Sequence, residues 1–102
     1  MPELVIAVSL KIDPAKRDEA AAAALEVMRA TRAEPGCVAY TFSTDLEDPS
    51  RIHVFERWAS PEALDAHFRA PHMAAFQKKM GGFGVSDMKI EKFEIAKAGP
   101  LR

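Results

Sequence analysis

Asparagine is absent from the 102 residues, and cysteine, tryptophan and tyrosine occur once each. Without asparagine there is no N-glycosylation acceptor and no such amide for a catalytic role. The single Cys37 cannot close a disulfide within the chain, which fits a reducing compartment. An excess of one charge is missing too: 14 Lys and Arg face 15 Asp and Glu, a net charge of −1. The basic residues are scattered among acidic ones, so there is no stripe of the kind that holds nucleic acid. No apolar run approaches the roughly 20 residues that cross a bilayer. The alanine run at Ala20–Ala24 lies inside a helical pattern, and no basic segment followed by an apolar one opens the sequence. The expectation is a cytoplasmic protein with neither a nucleic acid nor a membrane as partner.

What is present suffices for one core. Residues are 48% hydrophobic and 28% charged, so residues 1–102 read as a single domain. Leu4, Ile6, Val8, Leu10 and Ile12 alternate along a first strand, with the small Val5, Ala7 and Ser9 on its other face. Asp13-Pro14 then reads as an N-cap with proline in the first turn. The helix it opens should run to about Ala33 and turn Ala21, Ala24, Leu25 and Met28 to the core, until Pro35-Gly36 stops it. A second strand places Val38, Tyr40 and Phe42 on one face. A turn at Glu47–Ser50 leads to a third, where Ile52, Val54, Glu56 and Trp58 alternate with His53, Phe55 and Arg57. Ser60-Pro61-Glu62 opens a second helix carrying Leu64, His67 and Phe68 on one stripe. Pro71 interrupts it, and a further helical piece runs from about His72 to Met80. Gly81-Gly82-Phe83-Gly84 reads as a flexible connection. The last strand is Val85 to Ile95, and the tail at 96–102 is loose or used in a contact with a neighbour.

The order βαββαβ predicts an α+β, ferredoxin-like domain: a four-stranded antiparallel sheet with its helices on one side. Helices cover one face only, yet the strands carry apolar or small residues on both. A homodimer that buries the second face is the simplest expectation.

Several residues invite chemistry. A lone His67 beside Leu64 and Phe68 is by default a buried, hydrogen-bonded histidine. Trp58, Tyr40, Phe42 and Phe55 read first as packing, although the Tyr40 hydroxyl has the chemistry to bind a ligand oxygen. Glu56, on a mostly apolar stripe, is expected to pair with a Lys or Arg. His72, five residues beyond His67, would point roughly 140° away on a continuous helix, so it reads as a surface or capping residue and no metal site is expected. Cys37 has no basic cluster to activate it. "GGFG" lacks dinucleotide-loop spacing and leads into a strand; its functional reading is a lid over the helix–sheet cleft.

"EPGCVAY", the acidic hairpin and "FERWASPEALDAHFRAPHMAAF" together resemble the antibiotic biosynthesis monooxygenase domain, in particular the small bacterial quinol monooxygenases. The likeness covers roughly Leu4 to Ile95 and is most specific in E-x-W, then A-L-x-x-H, then P-H-M. It implies a dimeric α+β barrel and oxidation of a small aromatic substrate by molecular oxygen with no cofactor, neither metal nor flavin. It also implies that His67 is a base or hydrogen-bonding group and Trp58 an aromatic wall. Tyr40, Phe55, Phe68, Met73, Phe76 and His72 would then surround the substrate. Two other roles stand beside this one. An isomerase of a small oxo-metabolite would need cationic anchors, for which Arg57 and Arg69 are the candidates. A non-catalytic ligand-binding dimer would use His67 and Trp58 for packing alone. Haem-degrading relatives need an asparagine from the first strand, which this chain lacks.

Overall fold

The computed structural model describes residues 2–102. Four strands, β1 (Glu3–Lys11), β2 (Cys37–Thr44), β3 (Arg51–Trp58) and β4 (Ser86–Ile95), form one sheet in the order β2-β3-β1-β4, every pair antiparallel. This is the expected α+β, ferredoxin-like arrangement. Its helices are α1 (Arg17–Arg32), α2 (Pro61–Phe68) and α3 (Pro71–Met80). Asp13 caps a short 3-10 turn at Pro14–Lys16 by accepting from Ala15 N at 3.0 Å, so α1 proper begins three residues later than the proline suggests. Ser60 caps α2, its hydroxyl accepting from Ala63 N at 3.2 Å. Pro71 opens α3 as its first residue, where its missing N–H costs nothing.

Leu4, Ile6, Leu10, Tyr40, Val54 and Trp58 form the helix-side face of the sheet, and Val27, Leu64, Met73 and Phe76 close over it. α1 is rotated from its sequence-based phase. Ala20, Ala23, Ala24, Val27 and Thr31 are buried, whereas Leu25 is 50% exposed. On an alanine-rich helix small side chains allow close approach to the sheet; Met28 packs at the edge of the core and the larger Leu25 is left outside it. A register shift between Cys37 and Ala39 takes Val38 off the core face. The glycine-rich connection is anchored: Phe83 is buried and its carbonyl accepts from Asp13 N at 2.9 Å. No described helix is long and apolar enough to cross a membrane.

Candidate functional site in the helix–sheet cleft

The sheet is wider than the helices that cover it. Along β1 and β4 this leaves a cleft of about 280 Å³, closed on the helix side by Phe68, Met73 and Phe76. It is mostly apolar and falls just under the roughly 300 Å³ at which small-molecule pockets begin. Its polar wall groups are Tyr40, Glu56 and Gln77. A larger groove of about 480 Å³ lies between α1 and the β2–β3 hairpin, but its walls carry no histidine, tyrosine or buried carboxylate. The chemistry is in the smaller cleft.

Glu56 pairs with Ile6 on one side and Tyr40 on the other, so its side chain leaves the middle of the sheet toward the cleft. It is 8% exposed and among the described residues meets no Lys or Arg, contrary to the ion pair expected of it. Alternation puts the Arg57 side chain on the opposite face, where it binds Glu3 with Nε–Oε1 at 2.8 Å. Glu56 instead accepts a hydrogen bond from the Trp58 indole N–H at 3.0 Å. Burial raises its pKa, and the Trp58 bond opposes that only in part. Burial, with the Glu56 charge next to it, also holds the Tyr40 phenol above its ordinary range. Tyr40 is therefore a protonated donor at neutral pH, its hydroxyl 4.0 Å from Met73 Sδ.

Trp58 and His67 lie one layer behind this wall. Trp58 is 0% and His67 1% exposed, their ring centroids 4.6 Å apart, and neither lines the cleft. Tyr40 and His67 pack edge-to-face, with ring centroids 5.3 Å apart. His67 Nδ1 lies 2.7 Å from Glu34 Oε2, and His72 Nε2 lies 2.7 Å from the same oxygen. A carboxylate oxygen accepts, so both ring nitrogens are donors and a neutral His67 keeps Nε2 as its acceptor.

Of the residues singled out in the sequence, Tyr40, Phe68, Met73 and Phe76 share the cleft. Phe55 does not. It pairs with Ala7 and Thr41 on the outer face of the sheet and is 48% exposed there. His72 is turned to Glu34 rather than to the cleft, and neither Arg57 nor Arg69 reaches it. Glu34 was missed: Glu-Pro-Gly reads as a helix stop, and nothing local marks the glutamate as a partner of two distant histidines. Gly36 offers the one signal. Its φ is +84°, and a Cβ built there would stand 2.6 Å from that of Ala63, so the turn needs glycine to bring Glu34 against α2.

Comparison with known proteins agrees with this architecture. The family model for antibiotic biosynthesis monooxygenase matches residues 4–79. An uncharacterized protein, sll1783, of Synechocystis is 31% identical over 98 residues, covering 96% of this chain and 67% of its own length. Among solved structures, a Caulobacter crescentus protein named as a candidate antibiotic biosynthesis monooxygenase is 25% identical. It superposes with a TM-score of 0.89, over 94% of this chain and 92% of its own. A Bacteroides thetaiotaomicron protein of unknown function, described as a possible oxidoreductase, is 26% identical with a TM-score of 0.84, over 92% and 98% of the two chains. The match over residues 4–79, on a fold with the same antiparallel sheet and helix layer, places this chain in the antibiotic biosynthesis monooxygenase family.

Proposed function

We propose that the protein is a monooxygenase that oxidises a quinol or polycyclic phenolic substrate with molecular oxygen, drawing the electrons from the substrate itself rather than from a bound cofactor. The observation that carries this reading is the buried carboxyl of Glu56 in an apolar cleft, with Tyr40 beside it and no Lys or Arg paired with it among the described residues. An apolar cleft suits a flat aromatic ring. A carboxylate whose pKa is raised by burial is a stronger base, able to ionise an acidic phenol or anthrone. The resulting anion passes an electron to oxygen, and the two radicals combine to form a carbon–oxygen bond. For an anthrone, one oxygen atom stays as a new carbonyl, and the two hydrogens of that carbon leave with the other as water. The Tyr40 hydroxyl supplies a donor to the developing oxyanion.

The role of base therefore passes from His67 to Glu56, because His67 lies behind the wall with Nδ1 held by Glu34. Trp58 orients Glu56 through its N–H, and His67 supports the Trp58 ring. The reading extends to assembly. Two copies meet through their outer sheet faces, where Phe55 of β3 and Phe93 of β4 are exposed beside their β1 partners Ala7 and Val5.

The test is oxygen uptake with a hydroquinone and an anthrone. Wild-type protein is expected to consume oxygen, and Glu56→Gln to lower kcat by roughly a hundredfold or more, the contribution of a positioned base. A flat oxygen trace from folded wild type with both substrates defeats the proposal, and full activity in Glu56→Gln removes Glu56 as the base.

A further inference from the structure

Glu34, His67 and His72 come from three parts of the chain: the turn after α1, the last turn of α2 and the first turn of α3. Their donor atoms, one from each, all lie within 4.8 Å of one another, with both ring nitrogens aimed at one carboxylate oxygen. We propose that these three residues form a binding site for Zn²⁺ or a similar divalent transition-metal ion, with the fourth position left to water or a solute.

The donor set argues for that class of ion. Two imidazoles and one carboxylate are a common three-ligand set for zinc with an open position, whereas magnesium and calcium take oxygen donors. The spacing is close to what is needed. Zinc holds such donors at about 2.0–2.2 Å, so tetrahedral neighbours stand roughly 3.3 Å apart. Each of the two N···O distances, 2.7 Å here, has to open by about half an ångström. The two ring nitrogens lie within 4.8 Å of each other, so seating an ion also draws them together by up to about 1.5 Å.

Burial is graded across the site: the side chains of His67, Glu34 and His72 are 1%, 13% and 27% exposed. The deepest ligand is thus fixed by packing against Trp58, and the shallowest leaves an approach from solvent. The Pro71 break makes the site. A continuous helix would point His67 and His72 roughly 140° apart, but a new helix beginning at Pro71 brings their rings to 6.1 Å between centroids.

Without an ion the same three residues act as a hydrogen-bonded clamp, so metal binding itself is the discriminating measurement. Tag-free protein stripped with a chelator would be titrated with ZnCl₂ by calorimetry, and with Co²⁺ by visible absorption. One ion per chain and the intense absorption of four-coordinate Co²⁺ are expected. His72→Ala and Glu34→Gln should each weaken binding by more than the roughly tenfold to hundredfold that loss of an outer partner costs. His53→Ala, at the only other histidine, should change nothing. No binding at micromolar zinc overturns the proposal, and so does binding that survives His72→Ala or disappears in His53→Ala. Should His72→Ala fail to fold, the Co²⁺ spectrum of wild type decides, since six-coordinate absorption would also overturn it. Binding is read directly, so this result is independent of whether the cleft oxidises anything.

Discussion

Glu56 sits in an apolar wall with the Trp58 indole N–H as its one hydrogen-bond donor among the described residues, so its charge is costly to bury and its folded pKa stands above the ordinary 4.5. The sign for stability follows. Below the ordinary value the residue is protonated whether the chain is folded or unfolded. As pH rises from there to the folded value, the unfolded chain loses the proton first, and stability falls. Glu56→Gln keeps an acceptor for Trp58 and removes this descending limb, which denaturant melts across pH would show. An unchanged limb would mean that Glu56 is solvated as well as in the unfolded chain. Asp48 acts in the opposite sense. Bonds from Ser50 and Lys11 lower its pKa to about 2, so its contribution is present above the ordinary carboxylate range and lost as pH falls toward about 2. That acid limb should persist in Glu56→Gln. Replacing Trp58 by Phe keeps most of the packing and deletes the N–H. Leaving Glu56 without its partner should cost about 1–3 kcal/mol, readable as a lower denaturation midpoint.

The secondary-structure elements owe their boundaries to local chemistry. Asp13, Ser60 and the prolines at 14, 61 and 71 mark helix starts by capping or by a preset φ, and these signals are legible because they act within a turn. The phase of α1 was not legible. Five consecutive alanines carry no gradient of hydrophobicity, so Ala21 and Leu25 were assigned to the core beside Met28; Met28 does pack against it, while docking against the sheet left Ala21 and Leu25 exposed. The ends of elements also place the Glu34 cluster. Gly36→Ala would force a left-handed residue with a side chain, about 1–2 kcal/mol by itself, onto a Cβ contact of 2.6 Å with Ala63. The expected result is a fall in melting temperature of about 5 °C or more, together with weaker binding at the proposed metal site because Glu34 moves. A variant that melts like wild type would mean that the turn can relax without glycine.

At the scale of the whole molecule, one face of the sheet is covered by helices and the other presents Phe55 and Phe93 without cover. In the proposed dimer these rings are buried against a second copy. Wild type is then expected to sediment as a dimer and Phe55→Glu as a monomer, since a carboxylate in place of the buried ring would have to be stripped of water on association. A monomeric wild type at the concentrations used for activity would refute this assembly. Phe55 points away from the cleft, so any loss of activity in that variant would report on assembly rather than on substrate contacts.

Strand alternation, the capping residues and the order βαββαβ were determined by the sequence alone, because period-2 patterns and caps are set by neighbours a few residues apart. The pattern E-x-W, A-L-x-x-H and P-H-M also sufficed to indicate the family. Strand alternation already put Phe55 on the face opposite Glu56, but tertiary structure alone decided that Glu56 meets an indole instead of a cation and that Glu34 joins His67 and His72 across 33 and 38 residues of chain. Those outcomes depend on how a twisted sheet, a broken helix and a glycine turn meet in space. No local period or spacing in the chain encodes that meeting.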